Sequence, residues 1–120
     1  MSYFYKNDTR AEKFKIHIEK NTLLISFMTL AEIRFGMFKS NWGAKRVLEM
    51  ETFILHNFTV IYPTDSIVSY YSFCLSSSIN LGKPLSHGDA WIAATALELE
   101  CPLATHNAKD YAVLGDQIKF

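Results

Sequence analysis

The stretch SHGDAWIAATALELECPLATHNAKDY (Ser86–Tyr111) sets an acid near each end of an almost wholly apolar segment. It reads as a buried helix over about 87–99, a strand over 102–105 and a loop. A helix of about a dozen residues advances roughly 18 Å at 1.5 Å per residue. About six extended residues return roughly 20 Å at ~3.3 Å each. Outward and return paths nearly match, so Asp110 is expected beside the head of the helix that carries Asp89. A plainer reading stands next to this one. Ser86 and Asp89 have capping-box spacing, and Asp110 suits a solvated turn.

Working outward, TLLISF (22–27) is a continuous apolar run, the habit of a strand covered on both faces. Residues 1–19 are expected to be helical, with a turn at KNDT (6–9) and Phe14, Ile16 and Ile18 as buried contacts. Helices are expected over Thr29–Phe38, over 44–56 after the turn SNWG, and from a cap at Asp65 or Ser66 to Ile79. NLGKP ends the last of these through Gly82 and Pro84. FTVIY (58–62) is a further strand, and QIKF (117–120) a short final one. Alternating strands and helices predict an α/β fold on a mainly parallel sheet, with sites at the carboxyl ends of the strands.

A chain of 120 residues suits one domain, 1–120, with one hydrophobic core. Basic and acidic residues balance at 12 each, so no global field steers the molecule toward nucleic acid or membrane. Cys74 and Cys101 lie far apart and form no CxxC pair, which argues against a structural zinc site. MSYFYKNDTR lacks the form of a secretory leader, and no apolar run reaches the ~20 residues of a membrane span. A cytoplasmic setting is expected.

Glu32, in TLAEIRFG, comes after a strand and sits three residues beyond Thr29, again with capping-box spacing. In a parallel sheet it belongs on the same carboxyl edge as Asp89 and Asp110. Three carboxylates crowded on one rim are unfavourable unless a cation lies among them. Oxygen donors without a His/Cys cluster suit Mg²⁺ or Mn²⁺. Such an ion can activate water for in-line attack on a phosphodiester.

ISFMTLAEIRFG (25–36) and DAWIAATALELECPLATHNAKDY (89–111) resemble the central and C-terminal motifs of PIN-domain proteins, specifically the VapC-type toxins of bacterial toxin–antitoxin pairs. The resemblance runs along essentially the whole chain. It implies a PIN-like α/β/α sandwich and Mg²⁺- or Mn²⁺-dependent ribonuclease activity on RNA. It also implies a VapB-like antitoxin as partner. Glu32, Asp89 and Asp110 would be the catalytic, metal-binding acids. Thr105 and Asn107 would support the loop and face metal-bound water or phosphate, or else simply stabilise a turn.

One departure accompanies the match. Family members open on a short apolar strand ending in Asp-Thr, whereas MSYFYKND resembles the segment just beyond that Asp. The resemblance therefore implies a sheet without the family's first strand, a missing first acid, and little nuclease activity in this form. Asp8 would fall about 10 Å off along a helix and is no substitute. The start is either an internal methionine or a real truncation.

His87 and His106 flank the proposed site and read as polar surface, since metal-bound water needs no histidine base. Trp91 is expected in the core or an oligomer contact. Arg34, Lys39, Lys45 and Arg46 are a candidate phosphate-facing strip or a solvated helix face. Tyr3, Phe4 and Tyr5 are expected to pack, in a region that serves homodimer or antitoxin contacts in the family.

Overall fold

Leu23–Ser26 (β2) and Phe58–Ile61 (β3) form a parallel pair, with Leu24 opposite Thr59 and Ile25 opposite Val60. The structure, a computed structural model, describes residues 1–4 and 23–120. Between β2 and Leu103–Ala104 (β4) lies a two-residue strand, Tyr3–Phe4 (β1), antiparallel to both neighbours. The sheet order is β3-β2-β1-β4. Two reversals restore direction, so β2, β3 and β4 all run the same way and share one carboxyl edge.

Two expectations are corrected here. Tyr3 and Phe4 are extended rather than helical; the rest of the expected helix over 1–19, with Asp8, Phe14, Ile16 and Ile18, lies outside the described residues. The inner position expected to stand empty is filled by β1, and the sheet is mixed, with β2–β3 as its parallel pair. Backbone groups of β2 and β4 facing an empty slot would be costly to leave unpaired. Tyr and Phe are strong strand formers, and Phe4 is fully buried there.

Side chains alternate across β2, which gives the sheet two covered faces. Leu24 joins Phe4, Ile61 and Leu103 on the side covered by Asp65–Asn80 (α3) and His87–Leu99 (α4). Ile25 joins Leu30, Ile54 and Phe58 on the side of Phe27–Lys39 (α1) and Ala44–Asn57 (α2). Tyr3 packs on this second side, its ring edge-on to Phe58. This is an α/β fold with helices on both faces of the sheet. Among the described residues, no helix is long and apolar enough to cross a membrane.

The helix starts differ from expectation in detail. α1 begins at Phe27, because the Ser26 hydroxyl accepts from the Met28 N–H at 3.1 Å. Thr29 is thus inside the helix, and the capping-box reading of Glu32 fails. Thr64, not Asp65 or Ser66, caps α3 by accepting from the Ile67 N–H at 3.2 Å. Ser86 caps α4 as expected, accepting from the Asp89 N–H at 3.1 Å.

α4 is the most deeply packed helix described. Ala90, Ala93, Ala94 and Ala96 are buried, and their small side chains let it lie close against α3 and the sheet. Glu100 ends it in the left-handed conformation (φ 53°), turning the chain back toward β4. For a non-glycine residue that conformation costs about 1–2 kcal/mol. Beyond β4 the chain forms 3₁₀ turns over Ala108–Gln117, broken at Gly115 (φ 62°). The expected strand over 117–120 is absent. The turns bring Ile118 into the core, and the Leu103 N–H donates to the Lys119 carbonyl at 2.8 Å at the sheet edge.

Candidate functional site

The rim formed by the ends of β2 and β4 and the start of α4 gathers around one buried hydroxyl. Tyr111, 1% exposed, donates from its phenol to the Asp89 carboxylate at 3.2 Å. Burial drives its acidity well below that of an ordinary tyrosine, and the charge of Asp89 adds to this. The hydrogen bond to Asp89 and the charges of Glu32 and Asp110 act in the same direction. Tyr111 therefore remains a neutral donor throughout the working pH range. All three predicted acids act electrostatically on this one group.

Asp89 is the third residue of α4, and its amide is occupied by the Ser86 cap. Its carboxylate turns to Tyr111 rather than back to the cap. Glu32 reaches the same helix start from α1. A Cβ on Gly88 would lie 3.3 Å from Glu32 Oε1, so the missing side chain is what lets the carboxylate rest against the first turn of α4. The Glu32 carboxyl is held above the ordinary glutamate range, first by desolvation and then by the like charge of Asp89.

Asp110 is exposed and comes from the 3₁₀ segment. It shares with Asp89 an open cleft of about 510 Å³, flanked by Lys83 and Lys109 and backed by Leu85 and Val113. The turn that carries it is pinned by short-range bonds. Thr105 Oγ1 accepts from the Asn107 N–H at 3.2 Å, and the Asn107 carbonyl accepts from the Asp110 N–H at 2.9 Å. The Ser2 hydroxyl also donates to Thr105 Oγ1, at 2.9 Å. Thr105 is thereby engaged in holding the turn, and Asn107 contributes its backbone while its side chain is exposed.

The expected juxtaposition is met in pairs: Glu32 beside Asp89, and Asp89 beside Asp110. Among the described residues, no three His, Cys, Asp or Glu side chains close on one point tightly enough to hold a metal ion. His87 accepts or donates through Nδ1 with the Tyr71 hydroxyl, and its ring stacks on Tyr71. Trp91 is half-buried between Tyr71 and Phe27. Two members of the basic strip on α1 and α2 are engaged elsewhere. Arg34 binds Glu51 through two bonds of 2.9 and 3.1 Å, and Arg46 lies over the Trp42 ring at 3.9 Å.

The sequence pattern alone points to no role for Tyr111, Gly88, Lys83 or Lys109. An aromatic residue directly after a rim acid, in a polar loop, is the available sign for Tyr111. The lysines are brought to the cleft by loop geometry that no periodicity encodes.

Residues 1–115 match the family described as PIN domain. Ribonuclease VapC1 of Haemophilus influenzae strain R2866 is 30% identical over 116 residues, covering 95% of this chain and 86% of that protein. The Ribonuclease VapC1 of strain ATCC 51907 / DSM 11121 / KW20 / Rd is 29% identical over the same length. A solved structure of VapBC-1 from nontypeable Haemophilus influenzae is similar with a TM-score of 0.73 and 26% identity. That likeness covers 95% of this chain and 84% of the other.

Proposed function

Because this chain belongs to the PIN-domain family, we propose that it is an endoribonuclease of the VapC type, the toxin of a toxin–antitoxin pair, working with Mg²⁺ or Mn²⁺. One observation carries the reading: Glu32, from α1, rests against the first turn of α4 at Gly88, near enough to Asp89 to feel its charge, while a buried hydroxyl binds Asp89. The names of the Haemophilus relatives support it.

The donor set suits a hard divalent cation. Its members are carboxylates, and Glu32 is raised first by desolvation and then by the like charge of Asp89, a repulsion that a cation between them would relieve. Glu32 and Asp89 would hold the ion, with Asp110 completing the set from the cleft. Bound there, a divalent ion would supply Lewis-acid polarisation of a phosphate and a water acidic enough to attack it. The chain's own residues set the stage. Tyr111 holds Asp89 in one rotamer without competing for protons, and Thr105 with the Asn107 backbone keeps Asp110 on the cleft wall. Phe35, Phe38, Leu48 and Leu55 are exposed on α1 and α2, an apolar surface that supports a protein partner such as a VapB-like antitoxin or a second copy.

A second reading, an RNA- or partner-binding domain that does not cut, is favoured by the three acids not closing on one point among the described residues. Incubating the purified chain with single-stranded RNA and Mn²⁺ separates the two. Cleavage abolished by EDTA and by Asp89→Asn supports the nuclease. RNA binding without cleavage at any Mn²⁺ concentration supports the second reading.

A further inference from the structure

We propose that Lys83 and Lys109 form a two-point cradle for the phosphodiester backbone of single-stranded RNA, gripping it across the cleft that Asp89 and Asp110 share. The inference rests on the ribonuclease reading and names the contacts by which substrate would be held. The cleft, about 510 Å³ and open, lies within the size range of ligand sites. Its two aspartates alone would repel a polyanion. The two lysines offset that charge on the spot, so a phosphate chain can approach the acids instead of being turned away.

Both lysines are available, and both stand on fixed backbone. Among the described residues neither forms an ion pair, in contrast to Arg34 on Glu51 and Arg46 on Trp42. Lys83 comes directly after Gly82, which takes the turn at φ +77°, and its N–H donates to the Ser78 carbonyl at 3.0 Å. Two residues on, the Leu85 N–H donates to the hydroxyl of fully buried Ser78 at 3.0 Å, and that hydroxyl donates to the Leu75 carbonyl at 2.8 Å. Pro84 stiffens the link between. Lys109 is bracketed by the Asn107 and Asp110 backbone bonds of the pinned turn. With main chain held at both points, binding costs mainly the ordering of two exposed side chains.

Lysine ammoniums are point charges without a planar fork, so they suit phosphate contact rather than base reading. The cradle would therefore fix the strand's path and leave sequence choice to other groups. An acidic peptide would meet the same lysines, yet it would bring carboxylates, not a scissile phosphate, to the rim where Asp89 and Asp110 stand.

Anisotropy titration of the full chain with a labelled single-stranded RNA, in EDTA to prevent cleavage and across 50–200 mM salt, tests this. Each contact to a single strand contributes about −0.7 to the slope of log affinity against log salt. Lys83→Gln and Lys109→Gln should each make the slope shallower by about 0.7, and Lys83→Arg should keep it. Lys45→Gln, the same charge change on α2, should leave it unaltered. With Mn²⁺ present, KM should rise in the cleft variants while kcat stays within about twofold. Unchanged slopes in both cleft variants overturn the cradle and leave the nuclease reading standing. No RNA binding by the wild-type chain overturns both. Displacement of RNA by equimolar inorganic phosphate, or by a polyglutamate peptide as readily as by unlabelled RNA, also overturns the cradle, by showing a simple anion site or a carboxylate site.

Discussion

Replacing Tyr111 by Phe removes one oxygen atom from the centre of the rim and little else. The ring keeps its core packing, so no large cavity opens and the change isolates the bond to Asp89. A hydrogen bond to a charged acceptor contributes about 1.5–3 kcal/mol. The 3.2 Å separation is longer than the ~2.7–2.8 Å typical of hydroxyl donors, and Asp89 borders an open cleft where water can replace the phenol. The low end applies, about 1.5 kcal/mol, which lowers Tm by about 5–9 °C for a chain of this length. Asp89→Ala loses the same bond but also relieves Glu32 of a like charge, so its own Tm shift should be smaller. Thermal unfolding of wild type, both single variants and the double variant gives the coupling energy directly, expected at about 1 kcal/mol or more. A coupling under ~0.3 kcal/mol, together with a Tm for Tyr111→Phe within ~1 °C of wild type, would refute the hub.

Three further outcomes are expected. In metal-free buffer, folded Glu32 binds its proton more tightly than the unfolded chain does, so its contribution to stability falls as pH rises above the ordinary glutamate value. Urea unfolding should therefore show Glu32→Gln gaining on wild type between about pH 4 and pH 7, and a loss over that interval would contradict the assigned cause. Gly88→Ala should raise metal-free stability by up to ~1 kcal/mol through helix propensity while weakening the Mn²⁺-dependent rise in Tm, because its Cβ presses on Glu32 Oε1. Equal Mn²⁺ response in variant and wild type would show that this approach does not matter. Ser78→Ala strands the buried Leu85 N–H and should cost about 1–3 kcal/mol by chemical denaturation; a cost under ~0.5 kcal/mol would mean the loop before α4 is held by other means.

Most of the scaffold is legible in the sequence because its elements are locally determined. The continuous apolar run at Leu23–Ser26, the Ser86 cap and the stop at Gly82–Pro84 each act within a few residues. The rim is implied by element lengths, and Glu32, Asp89 and Asp110 do lie about one group. The features that escape a sequence reading depend on partners far along the chain. Tyr3 and Phe4 are extended because strands some 20 and 100 residues away leave a slot of the right width, which no window around them reveals. Thr29 has the spacing to Glu32 that a cap requires, but Ser26 is better placed at the true strand end. Lys83 and Lys109 meet at one cleft through a left-handed glycine and a pinned turn, features of geometry rather than pattern.

β1 also bears on the order in which the molecule assembles. Phe4 pairs with Leu24 and with Leu103, so one residue belongs to a short loop and to a very long one. Lengthening a closed loop from about 20 to about 100 residues costs roughly 1.4 kcal/mol more in chain entropy. The seam between β1 and β4 should thus close late in folding, after α3 and α4 have formed beside β4, and reopen early. Backbone amides held across that seam would then exchange with solvent through a partial opening, well before those between β2 and β3. Since Ser2 touches Thr105 at that same seam, each such opening would briefly loosen the turn that holds Asp110.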